Sequence, residues 1–110
     1  MGASRIKILL VDDDQDAYVL TRELLSESGS DRYELDWVPS YEDALQAVMH
    51  SRHELYLVDY HLGSRTGLDL LRDAIAIGCK APIVLLTGQG DHQVDIEAMK
   101  AGAADYLVKS

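Results

Sequence analysis

The chain alternates between two spacings of apolar residues, one typical of β-strands and the other of α-helices. Residues 6–11, 55–58 and 83–86 are almost continuously apolar, which predicts strands buried on both faces. Residues 33–37 alternate apolar with acidic side chains, which predicts an edge strand with one face in water. Residues 106–108 form a last short apolar run, so the pattern predicts five strands.

Apolar residues recur every three or four positions between these strands, which places them on one face of a helix. This spacing predicts helices over residues 16–28, after Ser40, over residues 67–78 and over residues 91–101. Ser40 is a predicted N-cap, and Gly29 and Gly78 are the predicted ends of the first and third helices. The recurring apolar residues are Ala17, Leu20, Leu24 and Leu25, then Ala44, Leu45, Val48 and Met49, then Leu68, Leu71 and Ile75, and finally Val94, Ala98 and Ala101, of which the last three are predicted to point inward.

The order of these segments is βαβαβαβαβ, which implies a parallel sheet with right-handed crossovers and helices on both faces. No linker, low-complexity tract or internal repeat interrupts the pattern. A chain of 110 residues is long enough for one hydrophobic core. We therefore predict a single α/β domain over residues 1–110.

Composition and charge exclude several classes of function. Nineteen acidic and ten basic residues give a formal net charge of −9, which disfavours binding to nucleic acid and to anionic lipid. The apolar runs are too short to cross a membrane, and no signal peptide is visible. Cys79 is the single cysteine and has no partner for an internal disulfide, which suits a reducing compartment. We therefore expect a cytoplasmic protein with no membrane insertion and no direct contact with nucleic acid.

Polar residues whose side chains can bind ligands or take part in reactions follow four of the five predicted strands. In an open parallel sheet, ligands bind beyond the carboxyl ends of the strands, so we expect these residues to meet at one edge. Taken singly, each has an ordinary explanation, as a helix cap, a loop aspartate or an exposed lysine. Their common position at strand ends favours a shared site instead. The residues are Asp12, Asp13, Asp14, Asp59, Thr87 and Lys109.

The charges of this set predict a metal ion. Two carboxylates about 4 Å apart repel by about 4 kcal/mol at an effective dielectric constant near 20. Asp12, Asp13 and Asp59 would therefore need more positive charge than Lys109 supplies, and ligands made only of oxygen favour Mg²⁺ or Mn²⁺. Such an ion beside a lysine and the Thr87 hydroxyl forms a receptor for a phosphoryl group. Asp59 is then the candidate nucleophile.

These motifs together resemble the receiver domain of two-component response regulators, the CheY-like family. The resemblance covers essentially the whole chain and rests on residues 8–14, on residues 57–59 with Leu62 and Gly67, and on residues 85–88 and 101–109. It implies a flavodoxin-like, doubly wound five-stranded parallel sheet with strand order 2-1-3-4-5. The family has a fifth helix after the last strand, which this sequence, ending at Ser110, is expected to lack through truncation.

The resemblance implies a role for each carboxylate at the sheet edge. Asp59 would be the phosphoacceptor. Asp13 and Asp59 would bind Mg²⁺ through their side chains, Asp12 would act mainly through water, and the backbone carbonyl of His61 would complete the protein ligands. Lys109 would pair with Asp59 at rest and with the phosphoryl oxygens afterwards.

The resemblance also implies a switch. Thr87 would donate a hydrogen bond to a phosphoryl oxygen, and its movement would draw Tyr106 inward. His61 and Gln89 would tune how fast water removes the phosphoryl group. The domain would catalyse only its own phosphorylation and dephosphorylation.

The partners implied are a sensor histidine kinase or a histidine phosphotransfer protein, with an output domain beyond Ser110. We also expect a homo-oligomer through the apolar side that the missing fifth helix would leave uncovered. Three alternatives stay open at this point. They are a degenerate receiver that acts as an interaction module without phosphorylation, a receiver fragment of a larger regulator or hybrid kinase, and an aspartate-nucleophile phosphohydrolase.

Overall fold

A computed structural model describes residues 5–27, 32–88 and 92–108 of the chain. Its strands are β1 (Ile6–Val11), β2 (Tyr33–Val38), β3 (Leu55–Asp59), β4 (His61–Leu62), β5 (Arg65–Thr66), β6 (Ile83–Thr87) and β7 (Asp105–Val108). Its helices are α1 (Gln15–Glu27), α2 (Tyr41–His50), α3 (Gly67–Ala76) and α4 (His92–Ala101). The predicted order of strands and helices is confirmed, with β4 and β5 as additions.

Five strands form one parallel sheet in the order β2-β1-β3-β6-β7. Because β4 and β5 pair only with each other, this is the predicted order 2-1-3-4-5, and the fold prediction is confirmed. From β1 the chain crosses first to β2 on one side and then to β3 on the other. The strand order therefore reverses between β1 and β3, and a crevice opens beyond their carboxyl ends.

The hydrophobic core lies between the sheet and the helices α2, α3 and α4. Alternate residues of the central strands point to this face, as the period of two in a strand requires. Fully burying one such aliphatic side chain contributes about 1.5–3 kcal/mol. The core residues include Leu9, Val11, Tyr56, Val58 and Leu85 from the sheet and Ala44, Val48, Leu70, Leu71, Ala74 and Ala98 from the helices.

The apolar side of α1 is not covered in the described structure. Leu20 and Leu24, which belong to the apolar face predicted for the first helix, are 57% and 55% exposed. Leu107 and Val108 of the edge strand β7 are also largely exposed. None of the α1 residues is buried, which agrees with the expectation of an uncovered apolar side.

Two helix ends agree with the predicted capping. The Ser40 side chain accepts a hydrogen bond from the Asp43 backbone N–H at 3.2 Å, which confirms Ser40 as the N-cap of α2. Gly78 follows α3 with a φ of 95°, in the left-handed region that favours glycine. The predicted stop of the first helix at Gly29 lies outside the described residues.

The hairpin formed by β4 and β5 was not predicted. Its two antiparallel pairs join His61 to Thr66 and Leu62 to Arg65. Gly63 turns the chain with a φ of 72°, which a residue without a Cβ adopts at little cost. Strands of two residues are too short to produce a recognisable period in a sequence, so pattern analysis could not find them.

Candidate metal centre

Three aspartates meet at the carboxyl ends of β1 and β3. Val11 pairs with Val58, Asp12 follows β1 directly, and Asp59 is the last residue of β3, so the two aspartates lie at the same level. One carboxylate oxygen from each of Asp12, Asp13 and Asp59 lies within 4.8 Å of the other two. Asp12 and Asp59 are only 1% and 7% exposed, whereas Asp13 lies on the surface. The predicted convergence of these three carboxylates is confirmed.

The electrostatics of this cluster suit a divalent cation. Two carboxylates 4.8 Å apart, the upper limit within this cluster, repel by about 3.5 kcal/mol at an effective dielectric constant near 20. Oxygen ligands fit the hard cations Mg²⁺, Mn²⁺ and Ca²⁺. The exposed carboxylate of Asp13 leaves a route from solvent to the buried pair. The residues present therefore fit a metal of this kind.

Hydrogen bonds fix the position of Asp12. Its Oδ1 accepts from the Asp14 N–H at 3.0 Å, and its own N–H donates to the Val38 carbonyl at 3.2 Å. The indole N–H of Trp37 donates to the Asp12 carbonyl oxygen at 2.7 Å. Asp14 caps α1 by accepting from the Asp16 N–H at 2.9 Å. Since Trp37 is the single tryptophan of the chain and contacts Asp12, we expect its fluorescence to respond to changes at this cluster.

A glycine allows α3 to approach the end of β3. A Cβ atom on Gly67 would lie 2.3 Å from the Asp59 carbonyl oxygen and 2.9 Å from Cδ1 of Leu85. The Gly67 N–H also donates to the Tyr60 carbonyl at 2.7 Å. The backbone that carries the Asp59 carboxylate is therefore held by a contact that only glycine permits.

Thr87 ends β6 beside the cluster, because Asp59 pairs in register with Leu86. The Thr87 side chain is 1% exposed, and its hydroxyl donates to Oδ1 of Asp95 at 2.8 Å. Asp95 lies in α4 and is 5% exposed. Sequence analysis placed Thr87 correctly at the sheet edge but missed Asp95. A signal was present, because Asp95 lies three residues before the predicted inward residue Ala98 and so shares its helix face.

A second missed feature ties the β4–β5 hairpin to two helices. The Arg65 guanidinium lies 4.1 Å from the centroid of the Tyr41 ring, and its nitrogens lie 3.2 Å from the Asp73 carboxylate and 3.7 Å from that of Asp69. The Tyr41 hydroxyl donates to the same Asp73 carboxylate, and this hydrogen bond raises the Tyr41 pKa. Hydrogen bonding to the Thr66 backbone lowers the pKa of Asp69. The hairpin after β3 is thus clamped to α2 and α3.

Four further predicted residues are not tested by these contacts. Lys109 and Gln89 lie outside the described residues. Tyr106 is 37% exposed in β7, beside α4, and His61 begins β4 with an exposed side chain. The roles of Lys109, Gln89, Tyr106 and the His61 carbonyl stay predictions.

The parallel sheet in this strand order, with three carboxylates at its switch point and a buried threonine at the next strand end, defines a receiver domain. The family model for the response regulator receiver domain matches residues 8–110, and the chain belongs to this family. The resemblance found in the sequence is confirmed, and the domain is a receiver of the two-component response regulators. Among the described residues, no helix combines the length and apolar character needed to cross a membrane.

Relatives of this chain are longer response regulators. The two-component response regulator PhoP of Pseudomonas aeruginosa is 36% identical over 104 residues, which cover 94% of this chain and 45% of that protein. The transcriptional regulatory protein ZraR of Salmonella typhimurium is 33% identical over 109 residues, which cover 99% of this chain and 24% of that protein. The chain therefore spans less than half the length of these relatives.

Solved structures share the fold closely. A CheY-like receiver domain protein from Methanospirillum hungatei has a TM-score of 0.83 at 26% identity, with 96% of this chain and 82% of that one covered. A response regulator from Burkholderia pseudomallei has a TM-score of 0.80 at 28% identity, with 94% of this chain and 59% of that one covered. The structure of the Burkholderia protein contains a phosphorylated aspartic acid, a calcium ion and citrate.

Proposed function

We propose that this receiver accepts a phosphoryl group on Asp59 from a phosphohistidine, in a reaction that needs Mg²⁺ or Mn²⁺. The observation that carries the proposal is the meeting of the Asp12, Asp13 and Asp59 carboxylates within 4.8 Å. Asp59 is the member of this group that ends a rigid central strand. Its carboxylate is therefore held in a fixed position, as an in-line displacement requires.

The metal would be held by the side chains of Asp13 and Asp59, by Asp12 mainly through water, and by the His61 carbonyl. When bound, it neutralises charge on the phosphoryl oxygens and orients them. An Asp59 oxygen attacks phosphorus, the P–N bond to the donor histidine breaks, and the imidazole nitrogen keeps the electron pair. The Thr87 hydroxyl and the Lys109 ammonium bind the oxygens of the transferred group.

Loss of the phosphoryl group follows by attack of water, which releases phosphate and restores the Asp59 carboxylate. His61 and Gln89 would set how readily water removes the phosphoryl group. The domain in this way catalyses only its own phosphorylation and dephosphorylation. A shift of Thr87 toward the phosphoryl group, with Tyr106 turning inward, carries the change to the surface.

The phosphoryl donor would be a sensor histidine kinase or a histidine phosphotransfer protein, and an output domain beyond Ser110 would receive the signal. The length of the relatives supports the second of these partners, because this chain covers only 45% of PhoP. A receiver that only binds partners has no need for the buried carboxylate pair of Asp12 and Asp59. An aspartate-nucleophile phosphohydrolase is disfavoured, because that class expects its nucleophile after the first strand, followed by a spaced second aspartate and then Thr or Val, and residues 12–16 fit this pattern poorly.

The experiment is to incubate the protein with Mg²⁺ and a small acyl-phosphate donor and to follow its intact mass. We expect the wild type to gain one phosphoryl group and Asp59→Asn to gain none. Asp14→Asn is the matched control, since asparagine caps a helix as well as aspartate and Asp14 lies outside the cluster. A wild type that gains no mass from acyl phosphates or from phosphohistidine donors contradicts the proposal.

A further inference from the structure

The buried polar side chains of the described residues raise a question about α4. They are Asp12, Asp59, Thr87 and Asp95. Three of them belong to the proposed phosphoryl site, and the fourth, Asp95, belongs to α4 and is joined to that site by the hydrogen bond from the Thr87 hydroxyl. A buried carboxylate is costly unless it is hydrogen-bonded. The contact with Thr87, at 2.8 Å, supplies such a bond.

A threonine hydroxyl has a single proton to donate. In the described structure that proton is directed to Oδ1 of Asp95. A phosphoryl group on Asp59 would need the same proton, because Thr87 is its proposed hydroxyl donor. The two acceptors therefore compete, and when the phosphoryl group gains the bond the Asp95 carboxylate loses it.

We propose that Asp95 is a positioning residue that holds Thr87 in the resting conformation and opposes phosphorylation of Asp59. This inference rests on the proposed function, in which Thr87 binds a phosphoryl oxygen. Once Thr87 turns away, the buried carboxylate of Asp95 has to find water or another donor, which favours a displacement of α4. By linkage, any interaction that stabilises the Asp95–Thr87 hydrogen bond weakens binding of the phosphoryl group by the same free energy.

The surroundings of Asp95 show which surface a displacement of α4 would change. Asp95 lines a surface groove of about 420 Å³ between α4 and β7, together with Ile96, Met99 and Tyr106. Ile96 and Met99 are about half exposed, so a shift of α4 changes the apolar surface that this side presents. The bond thus connects the phosphoryl site directly to an exposed surface.

A purely structural role makes a different prediction. Asp95 lies in the first turn of α4, where an acidic side chain is favoured by the helix dipole. If it served only to stabilise the helix, its removal would lower stability and would leave phosphoryl binding unchanged or weaker. The competition predicts the opposite effect on binding, so the two roles are separable.

The test measures binding of beryllium fluoride with Mg²⁺, a mimic of the acyl phosphate, by Trp37 fluorescence and calorimetry. We expect Asp95→Ala to bind the mimic about tenfold more tightly or better, since a hydrogen bond to a charged group is lost only from the resting state. Asp95→Asn keeps an acceptor oxygen and should fall between the alanine variant and the wild type. Glu97→Ala is the control, because it removes an acidic residue from the same helix without contacting Thr87.

The inference requires that the gain in affinity of Asp95→Ala for the mimic depend on Thr87. In a Thr87→Val background, Asp95→Ala should change the affinity less than twofold, which is the signature of coupling in a double-mutant cycle. The Thr87 amide resonance of unliganded Asp95→Ala should also move toward its position in the mimic-bound wild type. If Asp95→Ala does not fold, the same comparison is made with Asp95→Asn.

Unchanged or weaker binding in folded Asp95 variants would overturn the inference, as would an equal gain in the Thr87→Val background. Either result would leave the proposed function intact, because the wild type would still bind the mimic. A wild type that binds no mimic in the presence of Mg²⁺ would overturn both.

Discussion

Replacing Gly67 by alanine would place a methyl group against the carbonyl oxygen of Asp59. The added Cβ would lie 2.3 Å from that oxygen, whereas ordinary contacts of a Cβ begin at 3.4 Å. The start of α3 and the end of β3 would have to separate by about 1 Å. Because the neighbouring atom belongs to the backbone, no side-chain rotation can relieve the contact.

The expected loss of stability follows from two opposing effects. Overpacking of this kind costs about 1–3 kcal/mol. The better helix propensity of alanine returns at most about 1 kcal/mol, and less at the first residue of a helix. We therefore expect Gly67→Ala to lower the free energy of unfolding by about 1–2 kcal/mol. A displacement near 1 Å at Asp59 would also weaken Mg²⁺ binding by about tenfold or more, which corresponds to about 1.4 kcal/mol.

The assay is urea denaturation followed by Trp37 fluorescence, with and without Mg²⁺, together with a direct Mg²⁺ titration. Gly78→Ala is the matched control. Gly78 has a positive φ but no atom within 4 Å of an added Cβ, so its substitution should reduce stability and leave Mg²⁺ affinity unchanged. A Gly67→Ala protein with the stability and Mg²⁺ affinity of the wild type would refute the reasoning.

Further predictions concern the metal, the hairpin clamp and the exposed helix. Mg²⁺ at ten times its dissociation constant should stabilise the wild type by about 1.4 kcal/mol, and Asp13→Asn should lose most of this gain in thermal melts. Tyr41→Phe should cost about 1 kcal/mol in urea unfolding, because the hydrogen bond to Asp73 is lost. Since that bond raises the folded-state pKa of Tyr41 above 10.0, its stabilisation holds below pH 10 and fades as pH rises through the raised value. Arg65→Ala should weaken Mg²⁺ binding by loosening the hairpin. Leu24→Glu should reduce any concentration-dependent self-association seen in sedimentation, because Leu24 is 55% exposed.

Each of these predictions has a contradicting result. Equal stabilisation of wild type and Asp13→Asn by Mg²⁺ would remove Asp13 from the metal site. The same alkaline stability profile in Tyr41→Phe and wild type would show that the bond to Asp73 does not contribute. If Arg65→Ala leaves the Mg²⁺ affinity unchanged, the contacts that clamp the hairpin do not contribute to metal binding. Association that is unchanged by Leu24→Glu, or a monomer at every concentration, would exclude self-association through this side.

The sequence was sufficient for the sheet and for the carboxylates at its edge, for a physical reason. Continuous apolar runs identify buried parallel strands, and the topology of such a sheet brings the residues after them together. Asp12 and Asp59 could be placed in this way without knowing any contact between side chains. The exposure of Leu20 and Leu24 could not be predicted, because periodicity identifies an apolar face and does not show what covers it.

The contacts that sequence analysis missed join side chains from distant parts of the chain. Arg65 meets Tyr41 and Asp73, which come from separate helices, and no local pattern relates these residues. Asp95 could have been identified from the sequence, because a carboxylate on the inward face of a helix needs a buried hydrogen-bond donor. Its partner, Thr87, was already a candidate, but the pairing of the two depends on how α4 packs against β6.

The chemical identity of the phosphorylated residue tests the central claim most directly. After incubation with Mg²⁺ and an acyl-phosphate donor, borohydride reduces an aspartyl phosphate to homoserine, which peptide sequencing by mass spectrometry can locate. We predict homoserine at position 59 and nowhere else. Modification at Asp12, Asp13 or another residue, or no modification of a protein that is folded and binds Mg²⁺, would contradict the account.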